Sequence, residues 1–131
     1  MQSILLVEDS KFLRIASERA LTKAGYSVVS TDDGEQALQL ARDKHPDLIL
    51  LDMLLPRLGG PEVLRALKND QQTAEIPVVV LSSLPQKNEA RLKKDGAAAY
   101  FEKSKLGLDT GSHSLIQVVT EALALHHAGV R

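Results

Sequence analysis

The chain has no cysteine and no tryptophan, and only two phenylalanines and two tyrosines. Without thiols it has no route to thiol catalysis, cysteine-based zinc sites, iron–sulfur clusters or disulfides, an absence that suits a reducing compartment. Charge of one sign is also missing: sixteen basic side chains face seventeen acidic ones, for a formal net charge of −1. With so few rings to stack on bases and no global field, nucleic acid is not the expected partner. Long apolar runs are absent too. The opening Ile4-Leu5-Leu6-Val7 is cut off by Glu8-Asp9, too short for a signal-peptide core and without its basic flank, and nothing approaches the ~20 apolar residues of a membrane span. A cytoplasmic location is therefore expected. What is present is 131 residues, 44% hydrophobic and 25% charged, the balance of one globular domain. Leu (22) and Ala (14) dominate its apolar set, so the core must be aliphatic.

Short apolar runs alternate with amphipathic stretches from end to end. Strands are predicted over Ile4–Val7, Tyr26–Ser30, Leu48–Leu51, Ile76–Leu81 and Ala97–Phe101. Ser10 can cap a first helix that Gly25 stops, and Asp32 or Asp33 a second that His45-Pro46 closes. Pro61 presets the start of a third helix, a fourth runs from Pro85 through Leu92, and a last one from about Ser114 to His126. Strands apolar on both faces and separated by helices imply a parallel sheet covered on both sides. The expected fold is α/β, a flavodoxin-like doubly wound (βα)5 sandwich, for which the common strand order is 2-1-3-4-5. No linker or repeat divides it, so residues 1–131 are expected to form a single domain.

In such sheets the working site lies beyond the carboxyl ends of the strands, at the switch point between strands 1 and 3. Strand 1 ends in Glu8-Asp9, strand 3 in Asp52, strand 4 in Ser82 and strand 5 near Lys103. A lone acid after a strand is ordinarily a cap or turn former, and Asp32, Asp33 and Asp47, away from the switch point, are read that way. Capping does not account for two acids and a facing third. Two carboxylates about 5 Å apart repel by roughly 3 kcal/mol at an effective dielectric near 20, so the cluster calls for protons or a cation. Hard oxygen ligands suit Mg²⁺, with Mn²⁺ possible; zinc is disfavoured because His45, His113, His126 and His127 all lie away from strand ends. A divalent ion, an ammonium and a hydroxyl around one carboxylate make a receptor for a phosphoryl group. Asp52 is the candidate nucleophile, Glu8 and Asp9 the metal holders, and Lys103 and Ser82 the partners of phosphoryl oxygens.

These residues resemble the receiver domains of two-component response regulators, of the stand-alone, chemotaxis-regulator-like kind. The resemblance covers essentially the whole chain. It rests on Val7-Glu8-Asp9, Leu50-Leu51-Asp52-Met53-Leu54-Leu55-Pro56 followed by Gly59-Gly60, Val79-Val80-Leu81-Ser82-Ser83, and Gly96-Ala97 leading to Tyr100-Phe101-Glu102-Lys103. It implies that Asp52 takes a phosphoryl group from a sensor histidine kinase or histidine phosphotransfer protein. Mg²⁺ would be held by Asp9, Asp52 and the Leu54 carbonyl, with Glu8 acting mainly through water. It further implies a switch in which Ser82 moves toward the phosphoryl group and Tyr100 turns inward. The surface of helix 4, strand 5 and helix 5 would then recruit a downstream protein or a second copy.

The chain departs from the family pattern at Ser82 and Ser83, where Thr and Ala are common, and at Ser104, where proline often follows a cis bond. A non-proline cis bond costs roughly 3 kcal/mol, so trans is expected after Lys103. The connection from Ser104 to His113 is read as longer than usual. Leu54 and Leu84 are expected to flank the site and slow hydrolysis of the acyl phosphate. The first helix carries Phe12, Leu13, Ile15, Ala16 and Ala20, too wide an apolar arc for one buried stripe. Either Phe12 covers a neighbouring loop, or Phe12 and Ile15 dock a phosphotransfer partner.

Competing readings fare less well. A Mg²⁺-dependent aspartyl phosphatase like the haloacid dehalogenases needs a second acid two residues after the nucleophile, where Leu54 stands. A flavin module needs a Ser/Thr/Gly phosphate loop after strand 1, where Glu8-Asp9-Ser10-Lys11 is acidic. A degenerate receiver, acting only as an interaction module, would lack part of the five-residue set. The expectation is a signalling module without an output domain, not a turnover enzyme, inserted in no membrane.

Overall fold

A computed structural model describes residues 2–53, 59–82, 96–102 and 111–129. In chain order the elements are β1 (Ser3–Val7), α1 (Lys11–Lys23), β2 (Ser27–Thr31), α2 (Gly34–Lys44), β3 (Leu48–Asp52), α3 (Gly60–Asn69), β4 (Val78–Ser82), β5 (Ala99–Glu102) and a last helix, α4 (Gly111–Gly129). The strands form one parallel sheet in the order β2-β1-β3-β4-β5, as expected.

Strand periodicity builds two cores rather than one. Leu5, Val7, Ile49, Leu51, Val78 and Val80 pack with Ala37 and Ala41 of α2 and Val63, Leu64 and Leu67 of α3. The alternate residues Ile4, Leu6, Leu48, Leu50, Val79 and Leu81 pack with Leu21 of α1 and Leu115, Val119 and Leu123 of α4. All five residues of β3 are buried, which makes it the sheet's axis.

The helix signals act as the residue types dictate. Ser10 caps α1 by accepting from the Leu13 N–H at 3.3 Å, and Asp33 rather than Asp32 caps α2 by accepting from the Glu35 N–H at 3.0 Å. Gly25, at φ 104°, ends the turn after α1.

Several strand boundaries shift by one or two residues from those expected, two of them for a clear local reason. Tyr26 precedes β2 because its N–H goes to the Leu21 carbonyl, in the C-terminal turn of α1. Ile76 is excluded from β4: its N–H closes a turn onto Thr73, and its carbonyl accepts from the Lys68 ammonium at 2.7 Å. Burial pushes the Lys68 pKa below the usual lysine range, and the ammonium is held by two carbonyls, of Ala74 and Ile76. β5 begins at Ala99 rather than Ala97. The last helix begins at Gly111, so Gly111–His113, read as part of a long connection, are helical instead. The fourth helix expected over Pro85–Leu92 lies outside the described residues.

Asp47 departs from its reading as a cap or turn former. Its carboxylate accepts from the Ser3 N–H at 2.7 Å while its own N–H donates to the Ser3 carbonyl at 2.8 Å, clamping the start of β1 to the entry of β3.

The start of α3 closes tightly on the end of β3. The Gly60 N–H donates to the Met53 carbonyl at 3.2 Å, and a Cβ at Gly60 would sit 2.4 Å from Met53 Cα and 2.6 Å from the Asp52 carbonyl oxygen. Backbone cannot rotate away as a side chain can. Gly60→Ala is expected to lower the unfolding free energy by about 1–3 kcal/mol, the usual cost of overpacking, measured by urea denaturation.

Candidate functional site

The register Val7↔Leu51 brings the carboxyl ends of β1 and β3 side by side, so Glu8 and Asp9 leave the sheet next to Asp52. Asp52 is held from behind by the ladder: Met53 N–H continues it to the Leu81 carbonyl at 2.9 Å. Glu8 is tied on its other flank, its N–H donating to the Thr31 carbonyl of β2 at 3.0 Å. Glu8 and Asp52 are each only 1% exposed, whereas Asp9 faces solvent.

Backbone donors are spent on these acids. The Ser10 N–H donates to Glu8 Oε2 at 3.0 Å, and the Asp9 N–H points at Asp52 Oδ2 from 3.5 Å, the outer limit of hydrogen bonding. Arg14 of α1 reaches back to give its Nη1–H to the Glu8 carbonyl at 3.0 Å. Arg14 was missed by sequence reasoning; the available signal was a cation one helical turn past the cap Ser10.

Of the residues singled out from sequence, the structure therefore places the buried Glu8 and Asp52 at adjacent strand ends, with the backbone N–H of the exposed Asp9 directed at Asp52. Leu54, Lys103 and the Ser82 side chain lie outside the described residues, as do Leu84 and the bond from Lys103 to Ser104; Ser82 itself closes β4. Tyr100, in β5, is half-buried against the core on the α2 and α3 side. Phe12 is 65% exposed and Ile15 38%. Leu13, Ala16 and Ala20 take the half-buried positions of α1. His45 is an exposed C-cap of α2 in the left-handed conformation, well away from the acids in sequence and strand position.

The donor set is all oxygen, which fits Mg²⁺ or Mn²⁺ and not a soft or imidazole-seeking metal. Among the described residues no three carboxylate or imidazole side chains gather closely enough to enclose an ion by themselves. Such a site must complete its shell from water and backbone, as Mg²⁺ sites ordinarily do.

A doubly wound parallel sheet with buried carboxylates at its switch-point crevice defines the class: a flavodoxin-like α/β domain whose site is acidic and opens at the strand ends. The family model of the response regulator receiver domain matches residues 4–107, and the chain belongs to that family. It is similar to the polar-differentiation response regulator DivK of Brucella ovis, 37% identical over 103 residues that make up 78% of this chain and 84% of that protein. Among solved structures it resembles the chemotaxis protein CheY4 of Vibrio cholerae, with a TM-score of 0.83 and 25% identity over 93% of this chain and 98% of that one. It also resembles the Mn(2+)-bound form of the response regulator Rcp1, with a TM-score of 0.81 and 27% identity over 94% and 95% of the two chains. Among the described residues no helix is long and apolar enough to cross a membrane.

A ligand that binds only the folded state stabilises it by mass action, by about 1.4 kcal/mol at tenfold excess over Kd. Millimolar Mg²⁺ is expected to raise the urea midpoint of the wild-type chain, and Asp52→Asn and Asp9→Asn are expected to lose that increment.

Proposed function

We propose that this receiver domain is the phosphoacceptor of a two-component or phosphorelay system, with Asp52 as the residue that takes the phosphoryl group. The observation that carries this reading is the burial of Asp52 beside Glu8 at the β1–β3 crevice, with the Asp9 N–H directed at it. A carboxylate kept out of water at a strand end, with its backbone fixed on both sides, is a positioned in-line nucleophile. In the transfer, an Asp52 carboxylate oxygen attacks the phosphorus of a phosphohistidine. The P–N bond breaks as the O–P bond forms, its electron pair returns to the imidazole, and the product is an acyl phosphate.

A hard divalent cation held by Asp9, Asp52 and the Leu54 carbonyl, with Glu8 acting through water, supplies charge against the phosphoryl oxygens when bound. Lys103 neutralises a further oxygen and Ser82 donates a hydrogen bond to another. Phosphorylation shifts a two-state equilibrium by charge-assisted contacts to Ser82, and Tyr100 follows inward. The half-buried position of Tyr100, neither locked in the core nor free of it, supports that role. The surface around β5 and the last helix is then the output, toward a downstream protein or a second copy. The chain accepts a phosphoryl group and does not turn over a substrate, and it works in the cytoplasm, where the kinases of such systems place their phosphohistidines.

Phe12 and Ile15, exposed one turn apart on α1 beside the acidic crevice, dock the helical phosphodonor. On incubation with a divalent cation and acetyl phosphate, wild type is expected to gain the mass of one phosphoryl group and Asp52→Asn none; equal labelling of the variant would refute the assignment. Phe12→Ala is expected to slow transfer from a cognate histidine phosphodonor about tenfold, the effect of losing one apolar anchor, while leaving the acetyl phosphate reaction as it was.

A further inference from the structure

Both ends of one peptide unit in the site are engaged by charged groups of opposite sign. The peptide joins Glu8 to Asp9. Its carbonyl oxygen accepts from Arg14 Nη1 at 3.0 Å, and its N–H points at Asp52 Oδ2 from 3.5 Å. The peptide dipole therefore lies between a guanidinium at its negative end and a carboxylate at its positive end. Hydrogen bonds arranged head to tail polarise one another, and partial burial of both bonds here limits the screening of that effect.

We infer that Arg14 is a positioning residue for Asp52, acting through the Glu8–Asp9 peptide without touching the phosphoryl donor. This rests on the reading of Asp52 as phosphoacceptor. The guanidinium fixes the plane of the peptide, and the peptide N–H in turn orients the Asp52 carboxylate.

Three features set Arg14 apart from an ordinary helix arginine. Its side chain runs backward past the N-cap to a residue six positions earlier, outside the helix. It is half-buried, whereas Arg19, one turn and a half further along α1, is exposed. The carbonyl it satisfies belongs to the residue whose own carboxylate is almost wholly buried, so the same turn carries the acid and the clip. A guanidinium suits this task better than an ammonium, because its planar fork is pre-organised and its charge is weakly hydrated.

The test uses the full chain labelled with ¹⁵N, acetyl phosphate and Mg²⁺. Arg14→Gln is expected to slow phosphorylation of Asp52 about tenfold, the loss of one charge-assisted hydrogen bond, while Arg19→Gln, which removes the same charge from the outer face of α1, leaves the rate unchanged. In the Mg²⁺-free protein the Asp9 amide proton resonance is expected to move in Arg14→Gln and stay in place in Arg19→Gln. Arg14→Lys keeps the charge and a donor and is expected to fall between wild type and Arg14→Gln; it also serves if Arg14→Gln does not fold. A folded Arg14 variant with wild-type rate and an unmoved Asp9 amide overturns the inference, as does an equal loss of rate in Arg19→Gln. Wild-type protein that is never labelled overturns the Asp52 reading and this inference with it, whereas labelled wild type alongside an unaffected Arg14→Gln overturns this inference alone.

Discussion

The constraint on which the rest of this structure depends is the burial of two carboxylates, Glu8 and Asp52, at the carboxyl ends of neighbouring interior strands of a parallel sheet. Water stabilises a carboxylate far better than protein interior does, so a chain optimised for stability alone would not place them there. The neighbourhood is built to hold them nonetheless. Backbone N–H groups of Ser10 and Asp9 are turned toward them, and the Arg14 guanidinium backs the peptide between them. Parallel strands supply such a place for free, because every chain leaving β1 and β3 must cross over to an opposite face and leaves a crevice between the two departures.

Holding the acids in position requires a frame that does not yield. The two-sided core provides it: each strand residue from Ile4 to Val7 and from Leu48 to Leu51 is buried on one face or the other, leaving β3 no direction in which to slide. A slip of one residue would exchange every side chain between the two cores. The Asp47 clamp onto Ser3 fixes the same β1–β3 pairing at its other end, so both ends of the central pair are pinned by a carboxylate.

That division explains what could be read from residues alone. The types of the described elements and the acids at the ends of β1 and β3 follow from apolar periodicity and from where each run stops, both of which are local, whereas the strand order came from the commonest arrangement of five such units. Boundaries were set by hydrogen bonds that periodicity does not encode: Ile76 is as apolar as Val78, yet its backbone is claimed by Thr73 and Lys68 before the ladder begins. The start of the last helix shows the opposite error, since Gly111 and Ser112 look like loop composition while the helix runs through them. Asp47 and Arg14 were illegible for a different reason. Their partners, Ser3 and the Glu8 carbonyl, are chosen by tertiary placement, and nothing in their neighbouring residues distinguishes a clamp from a turn acid or a clip from a surface cation.

The two faces of α1 bear on how the site communicates. Ser17 and Leu21 are buried toward the sheet, and Arg14 reaches from the same helix into the turn that carries Glu8 and Asp9. Phe12 and Ile15 look outward from its first two turns. Because Ser10 both caps this helix and donates its N–H to Glu8, the helix start and the acidic turn are one hydrogen-bonded unit. A displacement of α1 cannot leave the Glu8–Asp9 peptide unmoved, since Arg14 and Ser10 connect them within a single turn of chain. The start of α1, where Phe12 and Ile15 are exposed, and the turn that carries Glu8 and Asp9 are therefore joined by direct hydrogen bonds of Ser10 and Arg14.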